Sequence, residues 1–222
     1  MKFSTPLHTL AALTLIGLLA APAQATVNKS IRVAAGDSVE RSLSSVNGSI
    51  TVGDNAKVNG TAGTVNGAIK IRNGASIRDL DTVNGSIRVG SEATVNGDID
   101  TVNGQISAGS GTTVRGDVGS VNGGINLTGA VIEGSISTYN GTIRLKAGSR
   151  VQGDLIVGTS TASWFSRLFS WGSKSTLKIY LEEGSVIEGD LRIGDEHRDV
   201  ELILAGDSQV NGSTAHAEVT TQ

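Results

Sequence analysis

Apolar and polar residues alternate along this chain with a period of two, and the alternation itself returns every 18 or 19 residues. One apolar column runs through Ile50, Ile69, Ile87, Ile106, Ile125 and Ile143. A second runs through Val52, Ile71, Val89, Ala108, Leu127 and Leu145. Columns two residues apart share one face of a strand. The residues between them, such as Thr51, Lys70, Arg88 and Arg144, are polar and belong to the opposite face. Strand alternation with β-branched residues on the inner face predicts short strands throughout. No segment of comparable length has helical spacing.

The strands are punctuated by one recurring tripeptide. Val46-Asn47-Gly48, Val65-Asn66-Gly67, Val83-Asn84-Gly85, Val102-Asn103-Gly104, Val121-Asn122-Gly123 and Tyr139-Asn140-Gly141 form a first series. A second series lies between them: Val58-Asn59-Gly60, Val95-Asn96-Gly97, Val114-Arg115-Gly116, Ile132-Glu133-Gly134 and Val151-Gln152-Gly153. Asn and Gly both tolerate positive φ, so the pair predicts a tight change of direction. An isolated Asn-Gly would suggest a hairpin. Here successive units are near-copies in the same direction, each with about three short strands. Copies stacked in that way place like residue over like in parallel ladders. The fold class is therefore all-β: a single-stranded parallel β-helix, or β-solenoid.

About nine turns fit, near 26–44, 45–63, 64–81, 82–100, 101–119, 120–137, 138–157, 176–198 and 199–214. At about 4.8 Å per turn the rod is roughly 40 Å long. Stacking predicts a structural amide ladder of Asn47, Asn66, Asn84, Asn103, Asn122 and Asn140. The domain expected over 26–214 is followed by a polar tail at 215–222, which contains His216.

The N-terminus reads differently. Lys2, an apolar run from Leu10 to Ala21 and the small-x-small Ala23-Gln24-Ala25 have the form of a secretory signal peptide over residues 1–25. The first repeat, Val27-Asn28-Lys29, begins just after the expected cleavage point. This predicts an exported protein, periplasmic or extracellular. There is no cysteine, so disulfides and thiol chemistry are excluded. The chain has 18 basic and 21 acidic residues, a net charge of −3 that becomes −4 without Lys2. That balance gives no argument for nucleic acid as a partner. Aromatic residues are only 3% of the chain, so Val, Ile, Leu and Ala must fill a narrow core.

Steps of six residues, as in Val46, Val52 and Val58, fit a left-handed coil. The pattern Val-x-Gly-Asp-aliphatic favours the other hand. It occurs at Val95-Asn96-Gly97-Asp98-Ile99, Val114-Arg115-Gly116-Asp117-Val118, Val151-Gln152-Gly153-Asp154-Leu155 and Ile187-Glu188-Gly189-Asp190-Leu191. In this it resembles the bactofilins, bacterial polymer-forming proteins, and exported adhesin-type families with short β-helical repeats. The resemblance spans roughly residues 27–212 and implies a right-handed β-helix that self-associates. Typical bactofilins carry no signal peptide, and in that this chain departs from them.

Residues 158–175 interrupt the repeat as an insertion loop. It holds Trp164, Phe165, Leu168, Phe169 and Trp171. Three readings stand side by side. The loop covers a flank or open end of the helix; it anchors a contact with another copy or another protein; or it rests in a membrane surface. These five residues are the candidate interaction site.

Catalytic candidates are sparse. Beyond the signal peptide the histidines are His197, in a charged turn, and His216. Asp98, Asp117, Asp154 and Asp190 recur in register and are expected to cap their own turns. No catalytic residue, metal ligand or cofactor is assigned. The expected function is a non-catalytic structural protein of the bacterial cell envelope that self-associates as dimers or filaments, or mediates adhesion. The polar first turn (Lys29, Arg32, Glu40 and Arg41) is expected to restrain pairing at one end. The competing reading is a monomeric module that binds carbohydrate or another envelope component through one flat face and the Asp column. An envelope enzyme is a third class.

Overall fold

The computed structural model describes residues 26–158, 176–194, 199–214 and 217–222. Among these residues every regular element is a β-strand, numbered β1 to β27 in chain order. The first turn contains β1 (Ile31–Val33), β2 (Ser38–Val39) and β3 (Leu43–Ser45). The second contains β4 (Ile50–Val52), β5 (Lys57–Val58) and β6 (Ala62–Asn66). This three-strand turn repeats, and corresponding strands pair in parallel. The result is three sheets of 10, 9 and 8 strands, here called sheets 1, 2 and 3 in the order each turn enters them. The protein is a parallel β-solenoid of about nine turns.

The register is the one that the apolar columns require. Ile31, Ile50 and Ile69 stack in sheet 1, as do Val33, Val52 and Ile71. Sheet 2 contributes Val58, Ile77, Val95, Val114, Ile132, Val151 and Ile187, and sheet 3 contributes Leu80, Ile99, Val118, Ile136 and Leu155. Apart from Ile31, which is partly buried in the first turn, these side chains are buried and form one core along the axis. Each turn is too small to bury its apolar residues alone, so stability comes from stacking on neighbours.

The three corners solve different problems. Positive φ is confined almost wholly to the corner between sheets 1 and 2, at Gly36, Asn55, Gly74, Glu92, Gly111 and Gly129 among others. The Val-Asn-Gly corners from Asn47 to Gly141 do not use it, which corrects the expectation drawn from Asn-Gly; of the stacked Asn residues that continue this column, only Asn28 at its start has positive φ, 57°. Their glycines serve close approach instead. A Cβ on Gly67 would lie 2.7 Å from the carbonyl carbon of Gly48, and one on Gly141 2.6 Å from that of Gly123. No side chain fits between turns at that distance.

Three steps depart from the 18–19-residue period; the last, from Leu202 to Val219, is 17 residues. Ile143 pairs with Ile179, and the contacts across this step join residues 36 apart. Ile179 pairs with Leu202 across a step of 23. Both of these longer steps lie between strands of the described chain, and all three sheets continue past the first. Residues 218–221, expected within a polar tail, form β27 (Glu218–Thr221) on the edge of β25 (Val200–Leu204). The partial polar pattern hid that strand, because the last turn of a solenoid has only one neighbour to bury it.

Candidate functional site

The Asn ladder is continuous. Each Nδ2 donates to the Oδ1 one turn earlier: Asn47 to Asn28 at 2.7 Å, Asn66 to Asn47 at 2.9 Å, and Asn84, Asn103 and Asn122 to their predecessors at 3.0 Å. Asn140 stacks in register with Asn122. Sequence reasoning missed the residue before Val. Ser45, Thr64, Thr82, Thr101, Ser120 and Thr138 are buried. The hydroxyl of Thr64 donates to the Gly48 carbonyl at 3.0 Å, and Thr82 and Thr101 donate likewise to Gly67 and Gly85. The repeated unit is thus a tetrapeptide: a hydroxyl that bonds a carbonyl of the neighbouring turn in all but Thr138, an apolar or aromatic residue, an amide rung and a bare corner. The hydroxyl signal was visible in the sequence as Ser or Thr at every repeat.

The Asp column also forms, with a different role from the one expected. Asp98 Oδ1 accepts the amide N–H of Asp117 at 2.8 Å, one turn on. Asp117 accepts from Ser135, Asp154 from Asp190, and Asp190 from Ser213. Asp79 accepts from Asp98. These carboxylates cap the next turn rather than their own, because the corner backbone leaves an amide pointing down the axis. Arg192 bridges Asp154 and Asp190 at 3.0 and 3.3 Å, and Arg78 bonds Asp79 at 2.9 Å. Among the described residues no group of three or more His, Cys, Asp or Glu side chains is arranged to hold a metal ion. His197 and His216 lie outside the described residues, as do Trp164, Phe165, Leu168, Phe169 and Trp171.

A second pair of acids was not anticipated. Asp81 and Asp100 stack in register on the outer face of sheet 3, in β9 (Leu80–Asn84) and β12 (Ile99–Asn103). They sit beside the corner that carries Asp79, Asp98 and Asp117. Burial, then the Asp79 and Asp98 charges, raises Asp81 from an ordinary 3.8 to about 7. Burial and the surrounding carboxylates hold Asp100 well above the ordinary range. The turn after Asp100 presents Gly119, whose absent side chain makes room for the Asp100 carboxylate; a Cβ there would lie 3.6 Å from Asp100 Cγ and collide with its Oδ1.

The outer face of sheet 1 has the opposite character. An open groove of about 530 Å³ lies there, bounded by Lys70, Arg72 and Arg88. Ser107, Ala108 and Gly109 on the next turn are short, and this leaves the space. No carboxylate lines the groove. Among the described residues the Arg88 side chain bonds only the Ser86 hydroxyl, at 3.0 Å.

The ends of the solenoid are edges. β1 and β2 close sheets 1 and 2 at one end, and β27 and β26 (Gln209–Val210) at the other. Val27 and Val219, 65% and 44% exposed, are the exposed large apolar residues of the described chain and lie in these terminal turns. Comparison with protein-family models, with curated proteins and with solved structures finds no match for this chain.

Proposed function

We propose that this chain is an exported, non-catalytic structural protein of the bacterial cell envelope, a β-helical scaffold that self-associates end to end or mediates adhesion. One observation carries the reading: the terminal strands β1, β2, β26 and β27 each have a hydrogen-bonded neighbour on one side only, among the described residues. Such strands are templates for another parallel strand, and a solenoid has no geometric reason to stop at its own last turn. The apolar Val27 and Val219 add area at those ends. The signal-peptide pattern and the likeness to bactofilins and exported adhesin-type repeats support the same reading. Trp164, Phe165, Leu168, Phe169 and Trp171 supply a lateral contact to another copy, an envelope component or a membrane surface.

The test is sedimentation and negative-stain microscopy over a range of concentrations, beside a variant with Trp164, Phe165, Phe169 and Trp171 changed to Ser. Concentration-dependent rods longer than about 40 Å are expected, with side contacts weakened in the variant. A monomer at every concentration that binds purified envelope polysaccharide would replace this reading with that of a carbohydrate-binding module.

A further inference from the structure

The groove and the acid-rich edge lie on opposite sides of the same turns. Each turn runs through sheets 1, 2 and 3 in order, so the corner between sheets 2 and 3 lies across the core from sheet 1. Lys70 lies in the middle of β7 (Ile69–Ile71), Arg72 directly follows it, and Arg88 lies in β10 (Ile87–Val89). Asp79, Asp81, Asp98 and Asp100 belong to the same and the following turn. The rod is therefore polarised across its width at one axial level. Several cations of the described chain are paired with acids, Arg144 with Glu182, Arg150 with Glu188, Lys178 with Glu201 and Arg192 with Asp154, whereas among the described residues no ion pair holds Lys70, Arg72 or Arg88.

We propose that copies of this protein pack side by side in parallel, the edge carrying Asp79, Asp81, Asp98 and Asp100 of one copy seated in the Lys70–Arg72–Arg88 groove of the next. This rests on the self-association reading and adds a second direction to it. The two surfaces belong to one solenoid and share one axial repeat. A simple sideways translation therefore brings a cation of each turn opposite a carboxylate of the corresponding turn, without any change of register. That contact is heterologous, joins different surfaces of the two copies, and does not close on itself, so it builds an open row of rods.

The local cations of the acidic edge do not neutralise it. Arg78 is held by Asp79 and Arg115 by Asn96. Asp81 and Asp100 face Asp79, Asp98 and Asp117; burial first, and these neighbouring charges second, raise their proton affinity. Three guanidinium and ammonium groups arriving from a neighbour provide the missing countercharge. The groove side chains are long and exposed, so they can reach a partner edge. Contacts of this kind set orientation and are weakened by salt.

The experiment compares the purified protein with a Lys70→Glu, Arg72→Glu, Arg88→Glu variant, by sedimentation and negative-stain microscopy at low and high salt. These three side chains are outside the core, so the variant folds. Lateral bundles of the unaltered protein are expected at low salt, dispersing at about 0.5 M salt as the Debye length shrinks to a few Å. The variant is expected to lose them, with side-by-side association at least tenfold weaker. A second variant, Asp81→Lys with Asp100→Lys, loses them too, and equimolar mixing of the two variants restores mixed rows. If that second variant does not fold, Asp81→Asn with Asp100→Asn replaces it and is expected to weaken bundling. Bundles that survive in the groove variant, or that ignore salt, overturn the proposal. Single rods that lengthen and never bundle overturn it and leave end-to-end assembly standing. Short bundles without lengthening do the reverse. Unbundled protein that takes up dextran sulfate through the groove makes the groove a polyanion site instead.

Discussion

Gly104 rests directly on Gly85: a Cβ at Gly104 would lie 2.6 Å from the Gly85 carbonyl carbon. The pair is one step of a column of bare corners that lets successive turns approach to sheet spacing. Gly104→Ala must push two turns apart or shift the Asn84 to Asn103 rung beside them. Overpacking of this kind costs roughly 1–3 kcal/mol and more where backbone is the obstacle. Gly148 has φ of 70° and nothing within 4 Å of an added Cβ. Gly148→Ala then carries only the left-handed backbone cost of about 1–2 kcal/mol. Thermal unfolding of the two variants is expected to rank Gly104→Ala as the more damaging. Equal losses would mean that the corner glycines serve conformation after all.

Asn84 both donates to Asn66 and accepts from Asn103. Asn84→Ala removes two rungs at an exposed corner, where the freed amides regain water. The expected loss is about 1 kcal/mol. Hydrogen exchange is the sharper measurement. Faster exchange is expected at the corners around Asn66 and Asn103, with protection unchanged three turns away, because coupling in a solenoid runs between neighbours.

Much of this was legible in the sequence. The columns that include Ile50, Ile69 and Ile87 had one consistent burial solution, and like-over-like stacking followed from a fixed period. The role of Asn-Gly was harder to read. Asn and Gly are chosen both for positive φ and for close approach, and only the position of the neighbouring turn separates the two. The same ambiguity hid the Asp column: an Asp after Gly can cap its own turn or the next, and the axial rise decides. Asp81, Asp100 and the Lys70–Arg72–Arg88 groove fell among outward polar residues. Alternation marks such residues as facing away from the core, but it does not tell which side of a three-sided rod they share.

Asp81 gives the protein a pH-dependent stability. Its folded-state value, about 7, is above the ordinary 3.8. Between those values the folded state holds more protons than the unfolded state, so stability falls as pH rises. The cost is absent below about pH 4 and complete above about pH 7; Asp100 adds to it in the same direction. Asp81→Asn removes the charge while keeping the shape. The variant is expected to be more stable than the parent at pH 8, by up to about 4 kcal/mol, and nearly equal to it at pH 4. Denaturant unfolding at both values checks this. A variant that is less stable at pH 8 would mean that the Asp81 charge is already compensated in the folded chain.

The step of 36 between corresponding residues of the seventh and eighth turns exceeds a 19-residue turn by 17. Residues 159–175 number the same. Removing them joins Gly158 to Thr176 and leaves four residues between Val157 and Ile179, as there are four between Thr138 and Ile143. Val157 pairs with Thr138, and Ile143 with Ile179, so the shortened turn closes without a shift of register. Thr176 then stands where Asn140 does, and Leu177 where Gly141 does. A leucine at the close corner is the remaining obstacle, so the deletion is made with Thr176→Asn and Leu177→Gly. This variant is expected to keep the β-sheet circular dichroism of the parent but to unfold below it, because Leu177 is buried in the core against the last turns, with Arg144 still over the Tyr180 ring, 4.5 Å from its centroid in the parent. The lateral contact assigned to Trp164, Phe165, Leu168, Phe169 and Trp171 would be lost with the segment, while end-to-end growth would continue. Collapse of the fold on deletion would instead make the segment part of the solenoid's own packing.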